Sequence, residues 1–453
     1  MRRNSLTEKV NTCSAVLRAI PPLAINGHIA SVSGLAAEIG GLNGQAFIGD
    51  QLLLHGRDGT SVRAEVAGFH RNMAHALPFA SLDGLGPGQM AVLLPRNAAS
   101  LAISDGWRGR VIDPMGRAID AKGPLPSGGT CRPIMAPPPE ATARARLGPR
   151  IALGVRALDL FTTCRQGQRL GLFAGSGVGK STLFAMLARA AVYDVAVIAL
   201  VGERGREVRE FLEDDLGPDG LTRSVVIVAT SDAPPVSRRR AAYTAMTVAE
   251  HFRDQGKSVL FMMDSVTRFC LAAREIGLSA GEPPSTRGYP PSVFAELPRL
   301  LERAGPGEDK GDATGFITAL FTVLVEGDDT NEPVADAVRG ILDGHVLLDR
   351  RIAESGRYPP VDVLRSLSRA AAGCLSGAEM DLVRRARGIL ALQGEMADLV
   401  RMGAYRPGAD PAVDEALTLG PAIEAVLRQG RMEQTGLEEA FQTLRQALGA
   451  DGG

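Results

Sequence analysis

The sequence predicts an α/β core with a mainly parallel sheet, preceded by a small β-barrel and followed by a helical region. Three observations carry this. Between about residues 150 and 350, continuous apolar runs alternate with helical stretches; parallel strands covered on both faces read this way. Between 23 and 95, short apolar segments are separated by glycine-containing turns. Beyond 370 the pattern is helical. At 453 residues the chain has room for two or three domains. Its 45% hydrophobic and 22% charged residues exclude a disordered polymer. A net charge of -1 gives no general pull toward nucleic acid or acidic lipid.

The elements follow in order. Leu6, Val10, Cys13, Leu17 and Ile20 form one apolar stripe, so residues 1–20 are expected to be an amphipathic helix, ended by Pro21-Pro22. That stripe suits either packing on its own domain or docking to a partner protein. The barrel, 23–95, has turn signals at Gly40-Gly41, Asp58-Gly59, Asp83-Gly84 and Gly86-Pro87-Gly88. Residues 121–150, rich in Pro, Gly and Arg, read as a linker or an extended crossing segment. Core strands are expected at 169–173, 195–201, 225–229, 259–263 and 317–325, with helices at 181–192 and 240–255 between them. A long helix at 378–401 and, after a Gly/Pro break, further helix over 411–448 complete the chain. The expected domains are therefore 1–22, 23–95, 96–370 and 371–453.

No apolar run reaches 18 residues, and no apolar stretch follows Met1-Arg2-Arg3-Asn4, so neither a membrane span nor a signal peptide is expected. Five scattered cysteines (Cys13, Cys131, Cys164, Cys270, Cys374) form no CxxC pair, which suggests free thiols in a reducing, cytoplasmic compartment. The six histidines show no ligand pairing and read as structural or surface residues. The run Arg238-Arg239-Arg240 reads as a solvated helix start.

The chemistry begins at Ala174-Gly175-Ser176-Gly177-Val178-Gly179-Lys180-Ser181-Thr182, between an expected strand and an expected helix. Glycines let backbone N–H groups converge on phosphate oxygens, and the helix N-terminus adds partial positive charge. Lys180 is placed to contact β- and γ-phosphates, and the Ser181 hydroxyl to ligate Mg²⁺. Only five lysines occur in the chain, and one of them is here. The first glycine of the usual pattern is Ala174, tolerable if that position needs no positive φ. Glu203 ends the next apolar strand, where a carboxylate can polarise water for attack on a γ-phosphate. Asp264 ends the run Val259-Leu260-Phe261-Met262-Met263 and can face a metal's water shell.

Together with Val201-Gly202-Glu203-Arg204-Gly205-Arg206-Glu207, the segments GEPPSTRGYPPSVF, VLVEGDD, ILDGH and RYPPVD…SLSR, the set resembles the ATPases of type III protein export. That family is itself similar to the catalytic β subunit of rotary ATP synthases, so the resemblance implies a RecA-like core using ATP and Mg²⁺. It implies Glu203 as the catalytic carboxylate and Arg204 as a phosphate-facing arginine. It further implies Glu207 as an acid near Mg²⁺ and Arg268 behind the site. Tyr358 matches the aromatic that stacks on adenine, with Tyr405 as its companion. Arg369 matches an arginine finger that reaches the neighbouring subunit's site.

A homohexameric ring follows from that last role. Its implied partners are a dimeric stator-like regulator on the N-terminal helix and a central stalk-like protein facing residues 283–292 and 326–331. Export substrates with their chaperones and a membrane export gate complete the set. The resemblance thus places a cytoplasmic protein at the periphery of the inner-membrane export apparatus. Segments 201–212 and 281–294 look more like flagellar export ATPases than virulence injectisome ATPases, which are the alternative. A synthase β subunit is disfavoured, because its acidic helix–turn is missing. Glu203 argues against a non-catalytic nucleotide-binding subunit. An RNA motor is disfavoured too, since Phe47, Phe69 and Phe79 are the only aromatics of 23–95.

Overall fold

The computed structural model describes residues 24–42, 44–175, 177–190, 192–325 and 332–449. The expected helix at 1–20, Ser176 and the expected stalk-facing loop 326–331 lie outside these residues.

Six strands form the first unit: β1 (Ile25–Ser33), β2 (Ala36–Gly40), β3 (Gln51–His55), β4 (Ser61–His70), β5 (Met73–Pro78) and β6 (Met90–Leu93). They close as an antiparallel barrel in the order β1-β2-β5-β4-β3-β6. Alternation decides which residues fill it: in β4, Val62, Ala64 and Val66 point inward while Ser61 and Arg63 face water. Many interior residues are alanines (Ala37, Ala64, Ala74, Ala76, Ala91), small enough for a narrow six-stranded lumen around Ile29, Ile39, Leu52 and Leu54.

The second unit is built on a nine-stranded sheet. Its strands are β7 (Arg110–Ile112), β8 (Arg169–Ala174), β9 (Val195–Glu203), β10 (Ser224–Thr230), β11 (Ser258–Asp264), β12 (Gly305–Pro306), β13 (Phe316–Leu324), β14 (Gly344–Leu348) and β15 (Leu367–Ser368). The order is β15-β14-β8-β13-β11-β9-β10-β7, with β12 hanging on β13. All neighbours are parallel except β15 on β14 and β12 on β13. Alternate residues feed two cores. Ala196, Ile198 and Leu200 meet Leu183, Phe184 and the C-terminal helices, while Val195, Val197, Ala199 and Val201 meet Ala245, Phe252 and Leu297.

The helices used below are α1 (Lys180–Ala188), α2 (Gly205–Glu210), α3 (Pro235–Arg253), α4 (Val266–Ser279), α5 (Pro291–Leu301), α6 (Pro333–Ile341), α7 (Gly377–Arg401), α8 (Pro411–Leu427) and α9 (Leu437–Ala447). Three expectations change. The helix after the phosphate loop stops at Ala188, short of 192. The stretch 411–448 is two helices, α8 and α9, because 428–436 turns back to pack on the core. The arginine run is not solvated. Successive residues of a helix point about 100° apart, and each of these arginines finds a different partner. Arg238 grips Glu275 at 2.8 and 3.0 Å, Arg239 grips Glu296 at 2.7 Å, and Arg240, 6% exposed, donates to the Pro114 carbonyl.

The segment 121–150 crosses the second unit and is anchored by side chains. Arg110 donates to the Gly123 carbonyl, the Trp107 indole N–H to Pro126, Arg303 to Ile134, and Arg165 to both Leu147 and Gly148. Arg303 is wholly buried and grips Glu250 at 2.6 and 2.9 Å.

Candidate active site

Strand β8 delivers the phosphate loop at its C-terminal end. Ala174 is still a strand residue, in register with Leu324 and Leu348, and is not among the residues with positive φ. Alanine in place of the first glycine therefore costs no backbone strain. Gly177 and Gly179, at φ 75° and 95°, do require the left-handed region. Gly179 caps α1, which opens on Lys180, so the loop leads directly into the helix N-terminus, the arrangement that favours an anion. Ser181 is exposed, Thr182 half-buried, and Val178 is buried in the core.

Two parallel strands bring the carboxylates to the same end of the sheet. Asp264 closes β11 and Glu203 closes β9. The Lys180 ammonium contacts Asp264 Oδ1 directly and stands 3.8 Å from Glu203 Oε1. Asp264 also accepts the Thr322 hydroxyl of β13 at 2.8 Å, which fixes its rotamer. Glu203 is only 9% exposed. Burial, and then the nearby Asp264 charge, push its carboxyl up to about 7. Its neighbour Glu207 raises it further, while Glu207's own carboxyl is lowered by the same interaction. Arg268 lies behind, its Nε 4.0 Å from Glu203. Gly202, at φ 74°, leaves room for it: a Cβ there would stand 2.9 Å from Arg268 Cδ.

Other expected residues lie around this centre. Tyr358 is 48% exposed, and a Cβ on Gly179 would stand 3.6 Å from its Cε1, so its ring lies against the phosphate loop. Arg204 is exposed and pairs with Glu207 at 3.4 Å. Tyr405 makes no hydrogen bond to the loop among the described residues: its hydroxyl donates to Asp414 at 2.9 Å and to the Asp410 carbonyl, tying the turn before α8.

Arg369 is exposed and follows the edge strand β15. Its N–H donates to the Asp343 carbonyl, and the Asp343 N–H donates to Arg169, the first residue of β8. It therefore sits at the Arg169 end of β8, opposite the Ala174 end where the loop leaves, a span of roughly 16 Å at about 3.3 Å per residue. Thr322 is the site residue that sequence reasoning missed, since one threonine inside an apolar strand carries no signal.

Residues 154–368 match the family model for the nucleotide-binding domain of the ATP synthase alpha/beta family, and 375–446 match that for the T3SS EscN ATPase C-terminal domain. The chain is 51% identical to a flagellum-specific ATP synthase of Caulobacter vibrioides, over 96% of this chain and 98% of the relative. It is 46% identical to a type 3 secretion system ATPase of Xanthomonas euvesicatoria, over 94% of this chain and 96% of the relative. It superposes with a TM-score of 0.84 on the assembled ATPase EscN in complex with its central stalk EscO, from the type III secretion system of enteropathogenic E. coli. That likeness has 38% identity and covers 93% of this chain and all of the other.

Proposed function

Because this chain belongs to the flagellum-specific and type III secretion ATPases of the ATP synthase alpha/beta family, we propose that it hydrolyses ATP to power protein export, in the flagellar system. The observation that carries the chemistry is the Lys180–Asp264–Glu203 cluster beside the phosphate loop. Lys180 and the loop's N–H groups hold the β- and γ-phosphates. Glu203 orients the attacking water and takes its proton. A buried carboxyl with proton affinity near neutrality suits that task. Tyr358 supports the adenine, and the solvated Arg204 swings toward the γ-phosphate. The injectisome role is the second reading, on the strength of the Xanthomonas relative.

The donors fit Mg²⁺. Ser181, Asp264 and Glu207 offer only oxygen, and among the described residues no three His, Cys, Asp or Glu side chains form a cage. Mg²⁺ takes one or two protein oxygens and completes its shell with water and phosphate. When bound, it neutralises charge on the phosphate oxygens.

Arg369 lies far from its own chain's phosphate loop, which supports its acting in trans, with Arg369 of the partner subunit completing each site in a closed homohexamer. A central stalk-like protein in the ring is supported by the EscN–EscO complex, with residues 283–292 and 326–331 as its proposed contacts. A dimeric regulator on residues 1–20, chaperoned substrates and an export gate at the inner membrane complete the proposed assembly. Among the described residues, no helix is long and apolar enough to cross a membrane. Glu203→Gln tests the chemistry. The variant is expected to bind ATP with wild-type affinity and to lose hydrolysis by about 10²-fold or more. Wild-type turnover would remove Glu203 from the reaction.

A further inference from the structure

The short segment that carries Tyr358 has no regular structure of its own, and the C-terminal region holds it at two points. Arg357 is 4% exposed; its Nε stands 2.7 Å from Glu424 on α8, and its Nη2 donates to the Val361 carbonyl at 3.0 Å. Its Nη1 is buried and has no hydrogen-bond partner among the described residues. Glu424 is thus the one carboxylate in contact with this buried charge among the described residues. The second hold is Gln429, two residues past the end of α8 and buried. Its N–H donates to the Tyr358 carbonyl at 2.8 Å. Its carboxamide is fully engaged as well: Nε2 donates to Gly154 at 2.7 Å and Oε1 accepts the Arg156 N–H at 2.9 Å.

Arg156 extends the brace, donating to the Val426 carbonyl and to the Thr435 hydroxyl. The residue before Tyr358 and the peptide of Tyr358 itself are therefore both referred to the end of α8. The ring, half-exposed, projects from that brace over Gly179.

We propose that Glu424 and Gln429 are positioning residues for the base platform. They set the height of the Tyr358 ring over the phosphate loop, so the C-terminal helices control how tightly the adenine is held, separately from the triphosphate. This rests on the reading of Tyr358 as the adenine-stacking surface. A purine stacked on an aromatic ring loses its support when the ring shifts, whereas the proposed phosphate ligands are backbone N–H groups and Lys180, to which Arg357, Glu424 and Gln429 make no hydrogen bond among the described residues.

The test measures dissociation constants of ATP and of inorganic tripolyphosphate, both with Mg²⁺, on the full chain by calorimetry. Tyr358→Ala is expected to weaken ATP roughly five- to a hundredfold and tripolyphosphate by less than about twofold. Glu424→Ala is expected to weaken ATP about tenfold, again without moving tripolyphosphate, and Glu424→Gln, which keeps an oxygen for Arg357, to fall between it and wild type. If Glu424→Ala does not fold, as judged by its thermal midpoint, Glu424→Gln carries the test alone. Glu424 variants that match wild type while Tyr358→Ala loses ATP selectivity overturn the proposal. So do variants that weaken both ligands equally, which is plain structural damage. If Tyr358→Ala itself leaves the ratio of the two constants unchanged, the stacking reading fails and the proposal falls with it.

Discussion

Two inactive variants of this protein should restore each other. Arg369→Ala removes the proposed finger and leaves the phosphate loop and Glu203 intact; its expected loss of turnover is about 10³-fold. Glu203→Gln removes the carboxylate and leaves Arg369, with an expected loss of about 10²-fold or more. The structure makes the two positions separable. Arg369 follows β15, next to Asp343 at the Arg169 end of the sheet, while the loop leaves β8 at Ala174. The five-residue span between them, roughly 16 Å along the strand, is longer than one arginine side chain reaches.

In rings formed at random from equal amounts, about one site in four joins an intact Glu203 to an intact Arg369 of the partner subunit. With independent sites, the mixture should reach about a quarter of wild-type turnover, on the order of 25-fold or more above either parent. The assay is phosphate release from the dissociated, mixed and reassembled variants, with ring formation checked by mass. A mixture no more active than the average of its parents refutes the reasoning, because a finger that serves its own chain cannot be supplied by a neighbour.

Two further outcomes concern stability. Glu250→Gln strips the wholly buried Arg303 guanidinium of its bidentate partner. Breaking such a pair costs about 3–5 kcal/mol, so the thermal midpoint of a unit this large should fall by about 4–7 °C; a shift under about 1 °C would mean that the pair is replaceable. Asp159 is fully buried, accepts the N–H groups of Leu153 and Gly154, and is pushed up to about 7 by burial. Between about pH 4 and 7 the folded chain keeps a proton that the unfolded chain has released, so this group's contribution to stability falls as pH rises through that window and is level above it. The midpoint of wild type minus that of Asp159→Asn should therefore decrease from pH 5 to pH 8; a difference independent of pH would assign the slope to other groups.

The sheet was legible because a strand covered on both faces has to be apolar along its length, and β9 and β11 are apolar up to their terminal carboxylates, save Ser258 at the start of β11. The same rule picks out the candidate carboxylates, since Glu203 and Asp264 are the charged residues that end such runs. What stayed hidden depends on partners distant in sequence. The guanidinium partners of Arg238 and Arg239, Glu275 and Glu296, lie 37 and 57 residues away, so a local reading of the run sees only charge. The break between α8 and α9 is set by Gln429 reaching Gly154 and Tyr358, a contact with no trace in helical periodicity. Thr322 is one hydroxyl in an apolar strand, visible only once β13 lies beside β11.

The crossing segment 121–150 bears on how this chain can evolve. Loops ordinarily absorb insertions and deletions because nothing measures their length. Here the carbonyls of Gly123, Pro126, Ile134, Leu147 and Gly148 meet donors fixed elsewhere in the fold, so the spacing between them is set. One added or lost residue between the close anchors, Gly123 and Pro126 or Leu147 and Gly148, would put a carbonyl out of step with its donor. Lysine is a poor replacement at Arg165, whose rigid fork spans two neighbouring carbonyls. A region that looks like spacer is therefore resistant to length variation at its anchored ends.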